Sequence, residues 1–496
     1  MQPFIKRYVI FTALNSLVDR HSSRSANRAL LSCSRYHRMC FFIKSGSTKE
    51  NAFMIIAVLS APNNFEARNS IRDTWKSLTN RPYLKFYFLI GRQNCQIHPF
   101  DRKSEFSCDE FHFTQNNDSA CKKSGWTPVM LNHYDLLSTT SGASSFTFRV
   151  NYPVIIRGIR LWKQSIKGLS KAVVNLKNAR TGHLVTSVSF EIPNSPYNDS
   201  IWLESQTNPF LLPKSFDAEV EIDLKYLESY NGVSIPCYGF SNWFDLCGAI
   251  QLTSQFHPDS GWINFNNKSC TPISLLLELN DIEAHVKEAD ARSLQWQSHI
   301  KTLAQNLDHE VAMYKDIIFT DVVDVYRNIP QKLLHFYKWA SQNINFTYLL
   351  KTDDDTFIDI PAVTKFLQAV PTKDALQMWW WGKLRHGLPV ERHGKWQELE
   401  YGAPVYPPFL CGGGYVINNI VVEYLVRNYQ WLYNFQGEDT CLGIWLSGVH
   451  PVSPKTASCK WSCTSECDQT SCNRCQLSTE EMLSVWKKYE ENRTIC

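Results

Sequence analysis

The 496-residue chain has no long hydrophobic run near its N-terminus and no strong excess of either charge. Lys6 and Arg7 precede YVIFTAL, seven largely apolar residues that stop before Asn15 and Asp19. A membrane-spanning helix needs about 20. The segment could be a short signal-peptide core, a decayed anchor or a wrongly placed chain start. A net charge of +4 is too mild to argue for nucleic acid. Its basic excess sits in Lys6, Arg7, Arg20, Arg24, Arg28, Arg35 and Arg38, and no RNP, zinc-finger or basic-helix signature is present. Internal repeats and low-complexity tracts are lacking. At 44% apolar and 20% charged, the composition is that of a globular chain.

Cysteine and glycosylation sequons are plentiful. Sixteen cysteines occur, and the tail CKWSCTSECDQTSCNRC with Cys496 spaces six of them C-x3-C-x3-C-x4-C-x2-C-x20-C. That density predicts disulfides made in an oxidising compartment. A zinc knuckle is the rival, weakened by irregular spacing and the lack of any histidine after Cys459. Five N-x-S/T sequons, at Asn117, Asn198, Asn267, Asn345 and Asn492, also predict passage through the secretory lumen.

AFMIIAVLS (52–60) reads as a buried strand, EARNSIRDTWKSL as a helix with Ile71, Trp75 and Leu78 on one face, and KFYFLIG (85–91) as a second strand. This is a β-α-β start. The alternation resumes near residue 295, with Ile300, Leu303, Leu307, Val311 and Tyr314 at helical spacing. DIIFTD, the helix PQKLLHFYKWA and the strand FTYLLK follow. Between the halves SFTFRV, VSFEI, AEVEIDL and GAIQLTSQF alternate like strands with one wet face, which predicts an inserted antiparallel module in the form of a β-sandwich.

Four short stretches carry the chemistry. YLLKTDDDTFID delivers Asp353, Asp354 and Asp355 to the end of a sheet strand, where open α/β sheets bind ligands. Such a cluster suits Mn²⁺ or Mg²⁺ with substrate phosphates, although a solvated acidic turn would look the same. Arg68 and Arg72, four apart, share a helix face that suits an anion or bridges to Glu66 and Asp73. QGEDTCLGIWL opens a helix with Glu438 and Asp439, as a cap or as a general base. FLCGGGYVI allows close backbone approach at Gly412, Gly413 and Gly414, either to a ligand or in a tight turn. It has no following GK[ST] and does not match G-x-G-x-x-G. WWWG (379–382) is core or a sugar-stacking shelf.

Taken in order, R-x-x-x-R-x-T-W (68–75), FLIG (88–91), E-x-x-x-Y-x-D-I-I (310–318), D-x-x-D-x-Y-x-N (321–328), K-T-D-D-D (351–355), G-G-G-Y-V (412–416) and G-E-D (437–439) resemble inverting β-1,3-glycosyltransferases of the galactosyltransferase-31 type. KWQELEY (395–401) and FYKW (336–339) narrow the likeness. The resemblance implies a GT-A, Rossmann-like α/β domain interrupted by a β-rich insert and followed by a Cys-rich tail. The expected boundaries are 1–50 (basic segment, possible signal or anchor), 51–92 and 293–455 (catalytic), 93–292 (insert) and 456–496 (tail).

It also implies Mn²⁺ (or Mg²⁺) on Asp355 and Asp353, and a UDP-sugar held by Arg68, Arg72, Lys351, Asp354, Gly413 and Gly414. Asp439 would be the base, and Trp381, Trp396, Glu398 and Glu438 the site wall. The expected donor is UDP-GalNAc ahead of galactose or GlcNAc analogues, and the acceptor a GlcNAc-terminated glycan on a glycoprotein. The expected location is the lumen of the Golgi or endoplasmic reticulum with type II membrane topology, and no nucleic acid is involved. A non-catalytic glycan-binding member is the alternative. A metal-dependent hydrolase is disfavoured because no histidine-carboxylate cluster surrounds the aspartates. Three features depart from the family pattern: the weak anchor, Thr440 in place of Val in E-D-V, and the expanded cysteine tail.

Overall fold

The computed structural model describes residues 31–33, 40–42, 49–113, 127–129, 145–162, 171–191, 202–223, 246–253, 255–257, 261–263, 273–449, 451–454 and 457–496. Met1–Glu50 and Asn51–Cys496 are separate units. Within the first, Leu31–Cys33 pairs antiparallel with Cys40–Phe42. Sequons Asn117, Asn198 and Asn267 lie outside the described residues.

The second unit is mixed α/β. Its main sheet contains β1 (Glu50–Leu59), β2 (Leu84–Gln93), β3 (Ile317–Val323), β4 (Ile344–Asp353), β5 (Trp380–Arg385) and β6 (Phe409–Asn418) in the order β3-β2-β1-β4-β6-β5. β1 and β3 run parallel to β2, whereas β6 runs antiparallel to β4 and β5. Along β1, Met54, Ile56 and Val58 enter one core while Ile55, Ala57 and Leu59 enter another. Burial on both faces explains why the strand reads as an unbroken apolar run.

The first face is covered by Ile71 of α1 (Phe65–Arg72), by Trp75, and by Met482, Val485 and Tyr489 of the C-terminal helix Thr479–Asn492. The cysteine-rich tail therefore completes the core. Leu333, Leu334, Phe336 and Tyr337 of the helix Ile329–Asn343 cover the second face.

A five-stranded and a four-stranded antiparallel sheet form between residues 127 and 279 and share one core, including Phe146, Phe148, Val150, Ile156 and Ile159. The helix Ile282–Tyr314 runs unbroken across the expected 292/293 boundary. It is capped at its start by the Asp281 carboxylate, which accepts the Ala284 amide. Its periodicity is weak because it buries little more than Ile300, Leu307 and Glu310.

Cys411–Cys463, Cys459–Cys472 and Cys467–Cys496 pair five of the six tail cysteines, and Cys475 is free. Cys95–Cys108 closes the loop that follows β2. Among the described residues no helix is long and apolar enough to cross a membrane.

Candidate active site

The ends of β1 and β4 meet at Asp354. Its Oδ2 accepts Ser60 Oγ at 2.7 Å and Asn64 Nδ2 at 2.9 Å. Burial raises this carboxyl above the usual range, and the two hydrogen bonds oppose the rise. Beside it, Lys351 is fully buried and places Nζ 2.7 Å from Asp353 Oδ1, 2.6 Å from Glu438 Oε1 and 2.6 Å from the Gly412 carbonyl. Burial alone would lower that ammonium, but Asp353 and Glu438 hold it well above its ordinary value. One cation thus joins the tip of β4, the triglycine of β6 and the start of the helix Glu438–Leu446.

Asp439 lies on this junction. Its Oδ1 accepts the Thr440 amide at 2.8 Å and its Oδ2 the Gly412 amide at 3.1 Å. Burial, with Glu438 next to it, pushes the carboxyl up to about 7 against the pull of Lys351. The preceding turn requires glycine, since Gly437 has φ +87° and a Cβ there would lie 2.8 Å from Thr440 Oγ1. Asp353, beside the same lysine, is also raised to about 7, first by desolvation and then by Glu438 and Asp355.

A cleft of about 510 Å³ opens here, lined by Asp353, Asp354, Asp355, Glu438 and residues not singled out in the sequence: Asn64, Asp324, Tyr326, Lys332 and Lys395. That is within the range of small-ligand sites. Lys332 bonds both Asp324 oxygens at 2.8 Å and the Ser60 carbonyl at 2.9 Å, which locks the floor. The D-x-x-D-x-Y motif contained the signal for Asp324 and Tyr326. Lys332 sits within an apolar helical pattern and gave none.

Several expected residues face elsewhere. Arg68 is fully buried; Nε and Nη2 bond Glu310 at 2.8 and 2.7 Å, and Nη1 bonds Ser60 Oγ at 2.9 Å. Arg72 pairs with Glu310 at 2.5 Å and Asp316 at 2.8 Å. Neither lines the cleft. The surface bridges to Glu66 and Asp73 are replaced by this inward network.

Gly413 and Gly414 make room for the tail: a Cβ at Gly413 would collide with Cys475 Sγ, and one at Gly414 with the Trp461 ring. Trp381 is core, packed on Phe366 with ring centroids 4.2 Å apart. Trp396 is 58% exposed and donates Nε1 to Tyr326 OH at 3.0 Å. Glu398 is buried and accepts the Gln436 amide at 2.7 Å and the amides of Glu400 and Tyr401. Asn345 and Asn492 are both exposed.

Among the described residues no three Asp, Glu, His or Cys side chains form a preformed metal cage. Asp353 turns to Lys351, and Asp354 to Ser60 and Asn64. The donors present are all hard oxygens, and the carboxylate of Asp355 accepts only Thr356 Oγ1, at 3.1 Å, among the described residues. This set fits a cation that takes one or two carboxylates and completes its shell with phosphate oxygens, as Mg²⁺ and Mn²⁺ do.

A family model described as Galactosyltransferase matches residues 297–455. The chain is 30% identical over 469 residues to UDP-GalNAc:beta-1,3-N-acetylgalactosaminyltransferase 2 of Xenopus laevis, covering 89% of this chain and 91% of that one. It is 31% identical to the Homo sapiens protein of that name, covering 89% of each. Hydroxyproline O-galactosyltransferase GALT2 of Arabidopsis thaliana is 26% identical over 46% of this chain and 36% of its own.

Proposed function

The chain belongs to the galactosyltransferase family and is a hexosyltransferase, and from that premise we propose that it transfers GalNAc from UDP-GalNAc to the 3-hydroxyl of a terminal GlcNAc on a glycoprotein glycan, with inversion. The observation that carries this reading is Asp439, a carboxylate raised to about 7 that accepts the Gly412 amide and directly follows Glu438, a lining residue of the carboxylate-rich cleft. A base tuned near neutral pH is half prepared to accept a proton and still strong enough to hold it. GalNAc is favoured over galactose because the relatives named for GalNAc transfer match about nine-tenths of both chains.

Asp439 takes the proton from the acceptor 3-hydroxyl as that oxygen attacks the anomeric carbon from the face opposite UDP. The carbon–oxygen bond to UDP breaks, and its acidic phosphate oxygen leaves without a general acid. A single attack turns an α-linked donor into a β-linked product. Asp353 and Asp355 would hold Mn²⁺ or Mg²⁺, which when bound offsets the charge of the diphosphate. Arg68 acts indirectly, fixing Ser60, which in turn fixes Asp354. Thr440 does not disturb the site: its hydroxyl bonds the Gln436 carbonyl at 2.8 Å, inside the helix start, which removes the main support for a non-catalytic member. Disulfides and exposed sequons at Asn345 and Asn492 support a lumenal location in the Golgi or endoplasmic reticulum.

Incubation with UDP-GalNAc, UDP-galactose and UDP-GlcNAc, with mass spectrometry of the product on a GlcNAc-β acceptor, tests the assignment; transfer of another sugar in preference to GalNAc overturns the donor. For Asp355→Ala, UDP affinity is expected to fall at least tenfold in manganese buffer and little in chelator. Calorimetric titration in the two buffers measures this, and an unchanged manganese effect removes Asp355 as a ligand.

A further inference from the structure

A second polar cavity, of about 580 Å³, lies between the five-stranded antiparallel sheet and the turn that precedes the catalytic helix. Arg149, Asn151 and Gln251 contribute one wall; Glu398, Asn434 and Gln436 contribute the other. Gln436 is three positions before Asp439, at most about 10–11 Å of chain. A ligand seated here is therefore within reach of the acceptor end of the active site.

The groups in these walls have unmet hydrogen-bonding capacity of both kinds. Arg149 is 2% exposed and reaches Asp217 through Nη1 at 3.3 Å, but its Nε and Nη2 are buried without a partner among the described residues. Gln436, also 2% exposed, gives its amide to Glu398 and its side-chain nitrogen to the Lys395 carbonyl at 3.3 Å, leaving Oε1 unpartnered. Buried orphan donors and acceptors are uncommon and costly. A ligand group that both donates and accepts relieves both kinds, and a hydroxyl does so. Charge narrows the class further: Lys103, Arg149 and Arg327 are balanced by Asp109, Glu398 and Glu400, which gives no net attraction for phosphate or sulfate.

We propose that this cavity is a second sugar subsite, built jointly by the five-stranded antiparallel sheet and the catalytic turn, that binds the uncharged pyranose beneath the terminal acceptor sugar. The inference rests on the hexosyltransferase reading for its orientation and not for its existence. It gives the five-stranded sheet a role in acceptor choice.

Gln251 is exposed on its strand, so Gln251→Trp fills the cavity without opening the core. Two probes serve: methyl β-N-acetylglucosaminide, and a disaccharide with the same terminal sugar β-linked to a second hexose. With wild-type protein the disaccharide is expected to have the higher kcat/KM by about tenfold, the effect of one or two well-made hydrogen bonds. Gln251→Trp and Asn434→Ala should each shrink that ratio at least threefold. Equal use of both acceptors by the wild type, or a ratio unmoved in both variants, overturns the subsite. Saturation-transfer NMR with the disaccharide reads binding without turnover. Signal from the second hexose that is lost in Gln251→Trp upholds the subsite even if no donor sugar is transferred, in which case the enzymatic reading alone fails. Displacement of the disaccharide by millimolar inorganic phosphate would also overturn it, since the cavity would then be an anion site.

Discussion

Replacing Asp439 with Asn is expected to cut sugar transfer by about 10²- to 10⁴-fold while UDP affinity stays within a fewfold of wild type. The asparagine can still accept one of the two amides, Gly412 or Thr440, through its one carbonyl oxygen, so the helix start keeps part of its tether. What it loses is the ability to take a proton. Product formation and UDP binding should therefore separate: initial rates fall, and calorimetric titration of UDP does not follow. Comparable turnover in the variant would remove Asp439 from the base role. In the wild type, kcat/KM should rise with pH, reach half its plateau near 7 and level off about one pH unit higher, since the base works only when ionised.

The same substitution has a stability signature of opposite sign. The folded Asp439 carboxyl titrates near 7, above the value of 3.8 that an unperturbed Asp shows. The folded chain thus binds a proton that the unfolded chain releases, and this favours folding at acidic pH. The contribution is full below the unfolded pKa and is lost as pH rises through the folded one. At pH 8 the wild type holds an ionised carboxylate next to Glu438, whereas the Asn variant does not. Asp439→Asn should therefore melt higher than wild type at pH 8, with the advantage narrowing towards pH 4. Thermal melts across that range check it, and a variant that melts lower throughout would show that the carboxylate is structurally favourable. Stability given up for a working base is common in active sites.

How far the sequence reveals this arrangement depends on the kind of contact. β1, α1 and β2 are legible because strands buried on both faces leave continuous apolar runs, and the aspartates are legible because charge at the tip of such a strand is unusual. The turn at Gly437 is legible as a helix start but its acid is not, since a cap and a base use the same residues. Helical spacing gives Arg68 and Arg72 one face without naming their partner. That partner, Glu310, lies 242 residues beyond Arg68, in a motif noted for other reasons. The triglycine announces a close backbone approach and not what approaches. Here Cys475 and Trp461 occupy the space beside Gly413 and Gly414, while Gly412 alone faces the carboxylates of Glu438 and Asp439. Long-range pairing of this sort leaves no local pattern to read.

Lys351→Met should be the most destabilising single change near the site. The lysine is 0% exposed and satisfies Asp353, Glu438 and the Gly412 carbonyl at once. Methionine fills a similar volume but leaves Glu438, 9% exposed in its side chain, without its cation and in repulsion with Asp353. Removing one partner from a buried ion pair costs about 3–5 kcal/mol. Part of this is recovered because Asp353 is 38% exposed and can turn to water, so the lower end is expected. Denaturant titration against wild type measures the loss. The double variant Lys351→Met/Glu438→Gln separates charge from packing: it should restore roughly half, since a neutral amide no longer needs a counter-ion. If the double variant is no better than the single one, the lysine is needed for its hydrogen bond to Gly412 and the charge balance is secondary. Transfer activity should fall in the single variant even at temperatures where it is folded. The same ammonium that neutralises the cleft also holds β4 and the helix of Asp439 at a common distance, and a base displaced from the acceptor hydroxyl loses most of its advantage.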